Sequence, residues 1–304
     1  MNKYLSAILS ILLLTMISCS NNRETGESLS QMRSYKLAMI QMKVKGGFPE
    51  LNLSLAAEKI KEASENGARI AVLPEALDFG WCHTSAREQA GPIPGGASFE
   101  ALSRAAKENG IFVCAGIIER DGDRLYNAAV IINPEGKLLI KHRKLNELDF
   151  AHGLYDQGDM LNVVRTELGT LGLLICADAN AVEYTISKSL GYMGADIVLS
   201  PSAWAVPPDH NNETDPYGET WRNAYEPICK IFKVWFVGVS NVGTVDDGEW
   251  TGWNCIGCSL AYNHKGEEVI QGPYGVTADT ILYIDVELQE RPSRGTEWKF
   301  AIDN

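Results

Sequence analysis

Three stretches with helical apolar spacing stop on a glycine, and each leads straight into a short apolar run. Residues 50–66 carry Leu51, Leu55, Ile60 and Ala63, stop before Gly67, and give way to Ile70-Ala71-Val72-Leu73. Residues 98–109 stop at Gly110 before a strand over 111–119, and residues 181–193 stop at Gly194 before a strand over 196–200. Glycine past a helix end accepts the left-handed conformation that closes it. A brief apolar run with no polar alternation reads as a strand buried on both faces. Such strands need helices to cover them, so the chain is predicted to be a layered α/β domain. Further strands are expected at 36–42, 124–132, 137–141, 169–175, 234–240, 259–262 and 281–286, with a helix at 219–232. The Asp121-Gly122-Asp123 turn joins two of them as a hairpin. Residues 201–216 form a loop longer than a compact domain usually carries without a functional reason. No linker divides the chain and no repeat organises it.

With 304 residues and 45% hydrophobic residues, the chain can bury a core without disulfides or metal. Its 27 Lys and Arg against 39 Asp and Glu leave a net charge of −12. Nucleic acid is thereby disfavoured as a partner, since neutralising phosphates needs a basic surplus.

The N-terminus reads as an export signal. Lys3 precedes an apolar run over residues 5–17, which as a helix spans about 20 Å and falls short of a membrane core. The close, Met16-Ile17-Ser18-Cys19, resembles a bacterial lipoprotein cleavage box. Residues 1–18 are then a signal peptide, Cys19 the lipidated N-terminus, residues 19–34 a polar tether, and residues 35–304 the folded domain. On this reading the protein is an exported lipoprotein that meets the membrane only through its anchor. A plain secretory signal with an incidental Cys19 is the alternative. Six cysteines remain: Cys82, Cys114, Cys176, Cys229, Cys255 and Cys258. Cys255 and Cys258 have redox-pair spacing but lead into a strand rather than opening a helix. Buried structural thiols are expected there.

Buried strands that end in a reactive side chain hold it rigidly at a cleft. Glu75 follows Ile-Ala-Val-Leu-Pro, Lys144 follows Leu-Leu-Ile-Lys-His-Arg, and Cys176 follows Leu-Gly-Leu-Leu-Ile. Singly, each has a bland reading as a core thiol, a helix-end charge or a solvated base. Together they make chemical sense. A thiol titrates near about 8.5 and attacks only as the thiolate. A carboxylate can take its proton, and an ammonium can hold the oxyanion that forms. The backbone N–H of Ala177 supplies a second oxyanion donor.

Glu75, Lys144 and Cys176, in that order and context, resemble the nitrilase superfamily, the carbon–nitrogen hydrolases. The matching text is Ala71-Val72-Leu73-Pro74-Glu75, His142-Arg143-Lys144-Leu145 and Leu174-Ile175-Cys176-Ala177-Asp178, with Glu183 beyond. It continues through Gly194-Ala195-Asp196, Ser200-Pro201-Ser202-Ala203-Trp204, Val239-Ser240-Asn241 and Gly257-Cys258-Ser259. The resemblance implies a four-layer α-β-β-α sandwich that assembles through its helices as a homodimer or a larger homo-oligomer. It implies Cys176 as nucleophile, Glu75 as base and Lys144 with the Ala177 N–H around the oxyanion. A small amide or N-carbamoyl compound is the implied substrate, and neither metal nor cofactor is implied.

Two departures bear on the pocket. Members carry a second glutamate in the loop after the lysine. Here Glu147 is the one glutamate in that loop, while His152 stands closer to the family position. After the cysteine the family shows Asp-x-Arg-aromatic-Pro-Glu, whereas this chain has Asp178-Ala179-Asn180-Ala181-Val182-Glu183. Asp178, Asn180 and Trp204 are therefore candidate contacts, and the substrate does not carry over. Ala177-Asp178 in place of Trp-Glu points to the amidase side rather than to nitrile cleavage. Acyl transfer from the same thioester and a degenerate amide-binding lipoprotein are the alternatives. A Cys–His protease lacks its local motif.

Overall fold

The computed structural model describes residues 34–290. The signal segment, Cys19, the tether up to residue 33 and residues 291–304 lie outside the described residues. The first half runs β1 (Ser34–Gln41), α1 (Pro49–Glu65), β2 (Ile70–Val72), α2 (Ala86–Gln89), α3 (Ala97–Asn109), β3 (Phe112–Asp121), β4 (Arg124–Ile132) and β5 (Leu138–Arg143). The second half begins β6 (Val163–Thr166), β7 (Gly169–Leu173), α4 (Thr185–Met193), β8 (Ile197–Ser202), β9 (Ala205–Val206) and α5 (Glu219–Phe232). It ends with β10 (Trp235–Ser240), β11 (Val242–Thr244), β12 (Asn254–Ile256), β13 (Leu260–Tyr262), β14 (Glu268–Gln271) and β15 (Thr280–Glu287).

Two six-stranded sheets result, ordered β15-β1-β2-β3-β4-β5 (sheet I) and β14-β13-β10-β8-β7-β6 (sheet II). Each has a parallel centre, β1-β2-β3 in one and β10-β8-β7 in the other, with antiparallel strands outside. Side chains alternate across a strand, and the two faces of sheet I show it. Leu37, Met39, Ile70 and Val72 join Leu171, Leu173, Leu199 and Val237 between the sheets. Ala38, Ile40, Ala71 and Leu73 face the other way and pack on Ala56 and Ile60 of α1 and Leu102 and Ala106 of α3. Leu190 of α4 and Ala224 and Ile228 of α5 cover sheet II. The order is helices, sheet, sheet, helices: the expected α-β-β-α sandwich. Among the described residues no helix is long and apolar enough to cross a membrane.

Several boundaries differ from expectation. Residues 181–184 do not belong to α4, because Glu183 and Tyr184 take left-handed φ of 54° and 57°, which an α-helix cannot propagate. The loop expected at 201–216 is shorter: Pro201 and Ser202 extend β8, and β9 pairs with β12 in a small third sheet, β11-β12-β9. The strands of that small sheet, together with β6 and β14, carry no strong pattern. They form because neighbours offer them a ladder.

Candidate active site

Glu75 stands three residues past β2, on a turn pinned from both sheets. Its N–H donates to the Ser202 carbonyl of β8 (3.1 Å), while Pro74 accepts from Gly116 (2.9 Å) and Gly116 accepts from Leu77 (2.9 Å). A Cβ at position 116 would lie 2.5 Å from the Glu75 Cα, so only glycine lets β3 come this close. The carboxylate is 1% exposed. Its Oε1 accepts from Lys144 Nζ (2.8 Å) and Asn127 Nδ2 (2.7 Å).

Lys144 leaves the end of β5, where its N–H donates to the Asn127 carbonyl of β4 (2.9 Å). Its buried Nζ also lies 3.2 Å from Glu147 Oε2. Glu147 is held from the other side, its Oε1 accepting from Asn127 Nδ2 (2.7 Å). One amide thus orients two carboxylates around one ammonium. Burial disfavours the Lys144 charge, yet Glu147 and Glu75 outweigh it and raise its pKa well above the usual lysine value. Burial pushes the Glu147 carboxyl up, against the pull of Lys144.

Cys176 begins a 3-10 turn, Cys176–Asn180, three residues past β7, with a left-handed φ of 46°. A non-glycine residue held there is strained, and such strain gathers at functional turns. Burial first, then the Glu75 charge, pushes the thiol up, while Lys144 pulls it down. Asp178, fully buried, ties this turn to the lysine loop. Its Oδ1 accepts from the N–H groups of Leu145 (3.0 Å) and Asn146 (2.7 Å), and Oδ2 from that of Ile175 (2.9 Å). His142 Nε2, buried on β5, lies 2.8 Å from the same Oδ2. Burial would raise the Asp178 carboxyl, but His142, the Ile175 N–H and the Lys144 charge hold it below the usual carboxylate range.

Glu75, Lys144, Cys176, Ala177, Asn180 and Trp204 line one cavity of about 320 Å³. Four of the other eight lining residues are aromatic: Trp221 of α5 stacks on Trp204 (4.7 Å between ring centroids), Trp81 meets Trp250 (4.8 Å), and Tyr217 completes the set. Among the described residues, no cluster of His, Cys, Asp or Glu could hold a metal ion.

His152 is not at this site. It is exposed and borders a separate depression with Arg87 and Arg120, whereas Glu147, five residues earlier, reaches Lys144. The 3-10 turn Asp149–Gly153 accounts for the difference: it buries Ala151 and leaves His152 outside. Cys255 and Cys258 are buried free thiols, both pushed up to about 12 by burial. Asn127, His142, Trp81, Tyr217, Trp221 and Trp250 were not singled out by the sequence. A clue existed for Asn127, an amide inside the apolar strand Arg124–Ile132. None existed for the tryptophans: Trp81 and Trp250 arrive from distant loops, and Trp221 from a helix whose apolar face reads as ordinary core.

A family model for carbon–nitrogen hydrolases matches residues 36–293. The omega-amidase NIT2 of Mus musculus is 28% identical over 270 residues, spanning 85% of this chain and 91% of that protein. A nitrilase of Pyrococcus abyssi is 34% identical over 176 residues, 57% of this chain and 66% of its own length. The crystal structure of Saccharomyces cerevisiae Nit3, from branch 10 of the nitrilase superfamily, superposes with a TM-score of 0.71. It is 24% identical, covering 85% of this chain and 91% of that one. The chain belongs to the carbon–nitrogen hydrolase family, hydrolases that act on carbon–nitrogen bonds other than peptide bonds.

Proposed function

We propose that this protein is an amidase that cleaves a small amide or N-carbamoyl compound through a thioester on Cys176. Glu75 takes the Cys176 proton as Sγ adds to the amide carbon. The oxyanion is held by Lys144 Nζ and the Ala177 N–H. As the C–N bond breaks, Glu75 passes its proton to the departing ammonia or amine, leaving the thioester. Water then adds, giving a proton to Glu75; the C–S bond breaks, the acid leaves, and Sγ recovers its proton. Glu147 balances Lys144, so the ammonium stays in place while Glu75 changes charge.

The observation that carries this reading is the meeting of Glu75, Lys144 and Cys176 on one cavity, from strand ends of two different sheets. Release of ammonia or amine from a panel of amides and N-carbamoyl compounds tests it. Cys176→Ser, still folded by circular dichroism, should lose nearly all turnover. Equal activity in that variant would overturn the mechanism.

Two further readings belong to the proposal. Tyr192 of α4 and Ile231 of α5 are 63% and 59% exposed on the outer helix layer, which suits a homodimer through these helices; light scattering should return twice the monomer mass. The N-terminal reading makes the protein a membrane-anchored lipoprotein, so Cys19→Ala should release it from the membrane fraction.

A further inference from the structure

The cavity wall has a charge pattern that the reaction does not explain. Apart from Glu75 and Lys144, every side chain lining it is uncharged, and five are aromatic: Trp81, Trp204, Tyr217, Trp221 and Trp250. Until Glu75 takes a proton, Lys144 has no charge to spare for a substrate carboxylate, since Glu75 and Glu147 already flank it at 2.8 and 3.2 Å. The nearest cation on α5, Arg222, is turned to Glu268 (2.8 Å) and Gln271 (2.7 Å) and does not line the cavity. A carboxylate placed beyond the reacting amide would therefore lose its water and find no counter-ion. It would also face aromatic rings, whose faces are negative. An ammonium would gain from those faces but would meet no carboxylate past Glu75. At about 320 Å³ the space sits at the small end of ligand pockets, enough for one ring or a short branched chain.

We propose that the acyl group taken by this site is uncharged and apolar, of single-ring or branched-alkyl size, and that amides bearing a carboxylate are excluded. The assignment deepens the amidase reading and rests on Cys176 being the reacting centre. It concerns the walls built by Trp204, Trp221, Trp81 and Trp250, which can be probed without turnover.

Four of the lining side chains are tryptophans, so binding can be followed by their fluorescence in Cys176→Ala protein. Phenylacetamide should quench saturably, and succinamate should bind at least about 100-fold more weakly. Thr220→Arg, at an exposed lining position, should improve succinamate binding at least about tenfold by supplying the missing cation. Succinamate binding as tightly as phenylacetamide would overturn the proposal. So would tighter binding of cationic glycinamide, or the absence of a saturable signal from phenylacetamide. Ammonia release by the unmodified protein is a separate readout. If phenylacetamide binds as expected but no amide is hydrolysed, the amidase reading falls and the assignment of the pocket stands.

Discussion

His142 Nε2 lies 2.8 Å from Asp178 Oδ2, and this buried contact fastens the strand that delivers Lys144 to the turn that begins with Cys176. With Asp178 ionised, the imidazole must donate. The carboxylate then receives four hydrogen bonds, three from backbone N–H groups on the two segments. Asp178 touches neither Glu75 nor the thiol; it positions the pieces that do.

Asp178→Asn would put an amide NH2 against backbone donors and leave His142 without its anion. Breaking a buried, paired charge typically costs about 3–5 kcal/mol, which for a domain of this size is a fall of roughly 6–20 °C in Tm. Turnover should fall at least about 100-fold while KM for a good substrate changes little, because the reacting groups shift relative to one another. Thermal unfolding and steady-state kinetics together check this; a variant with unchanged kcat would show that the clamp is dispensable.

Glu147 and His152 compete for the place of the second glutamate that the family resemblance implies after the lysine, and the geometry favours Glu147. Glu147→Gln should slow turnover about as much as Lys144→Met, on the order of 10²–10³-fold. His152→Ala should stay near the parent rate. The opposite ranking, with activity following a titration near histidine's usual value of about 6.5, would return the role to His152.

Gly116→Ala tests the fit between β3 and Glu75, the proposed base. The new methyl would lie 2.5 Å from the Glu75 Cα, so either the turn or the strand must move. A displacement of about 1 Å at a reacting group can cost about 100-fold in rate. Activity should therefore fall far more than stability, as measured by kcat beside Tm. A fully active variant would mean that the turn has slack.

Asp78, on the turn after Glu75, gives a pH signature. Its buried carboxyl accepts from the N–H groups of Phe79 (3.0 Å) and Ile118 (3.2 Å), yet burial pushes it up to about 7. A folded-state value above the unfolded one means that its contribution is full below about pH 4 and is lost as pH rises towards about 7. Between those values the parent protein should lose stability relative to Asp78→Asn. Denaturant midpoints for both at pH 4.5 and 7.5 decide it, and parallel curves would contradict the assignment.

Much of this was legible in the chain because strand ends and glycine stops are local signals. Glu75, Lys144 and Cys176 each follow an apolar run, and α5 and β4 fall where periodicity puts them. The failures share one physical origin. His152 matches by position along the chain, but a 3-10 turn rotates it outward, and spacing alone cannot reveal a turn's phase. His142 and Asn127 sit inside strands, where a polar residue reads as tolerated rather than used until the opposite partner is known. Trp81 and Trp250 are 169 positions apart and meet only through the fold.

The Glu75 N–H to Ser202 carbonyl bond crosses from one sheet to the other, and the base and the thiol stand on opposite sides of that seam. On the proposed mechanism, chemistry in this protein is a gauge of slip between two slabs. Each slab keeps its own ladder if they slide by an ångström, so spectroscopy of the backbone would see nothing, but the proton would have too far to travel. Anything that loosens the seam, whether a bulky core residue, pressure or a little denaturant, should silence the protein well before it unfolds.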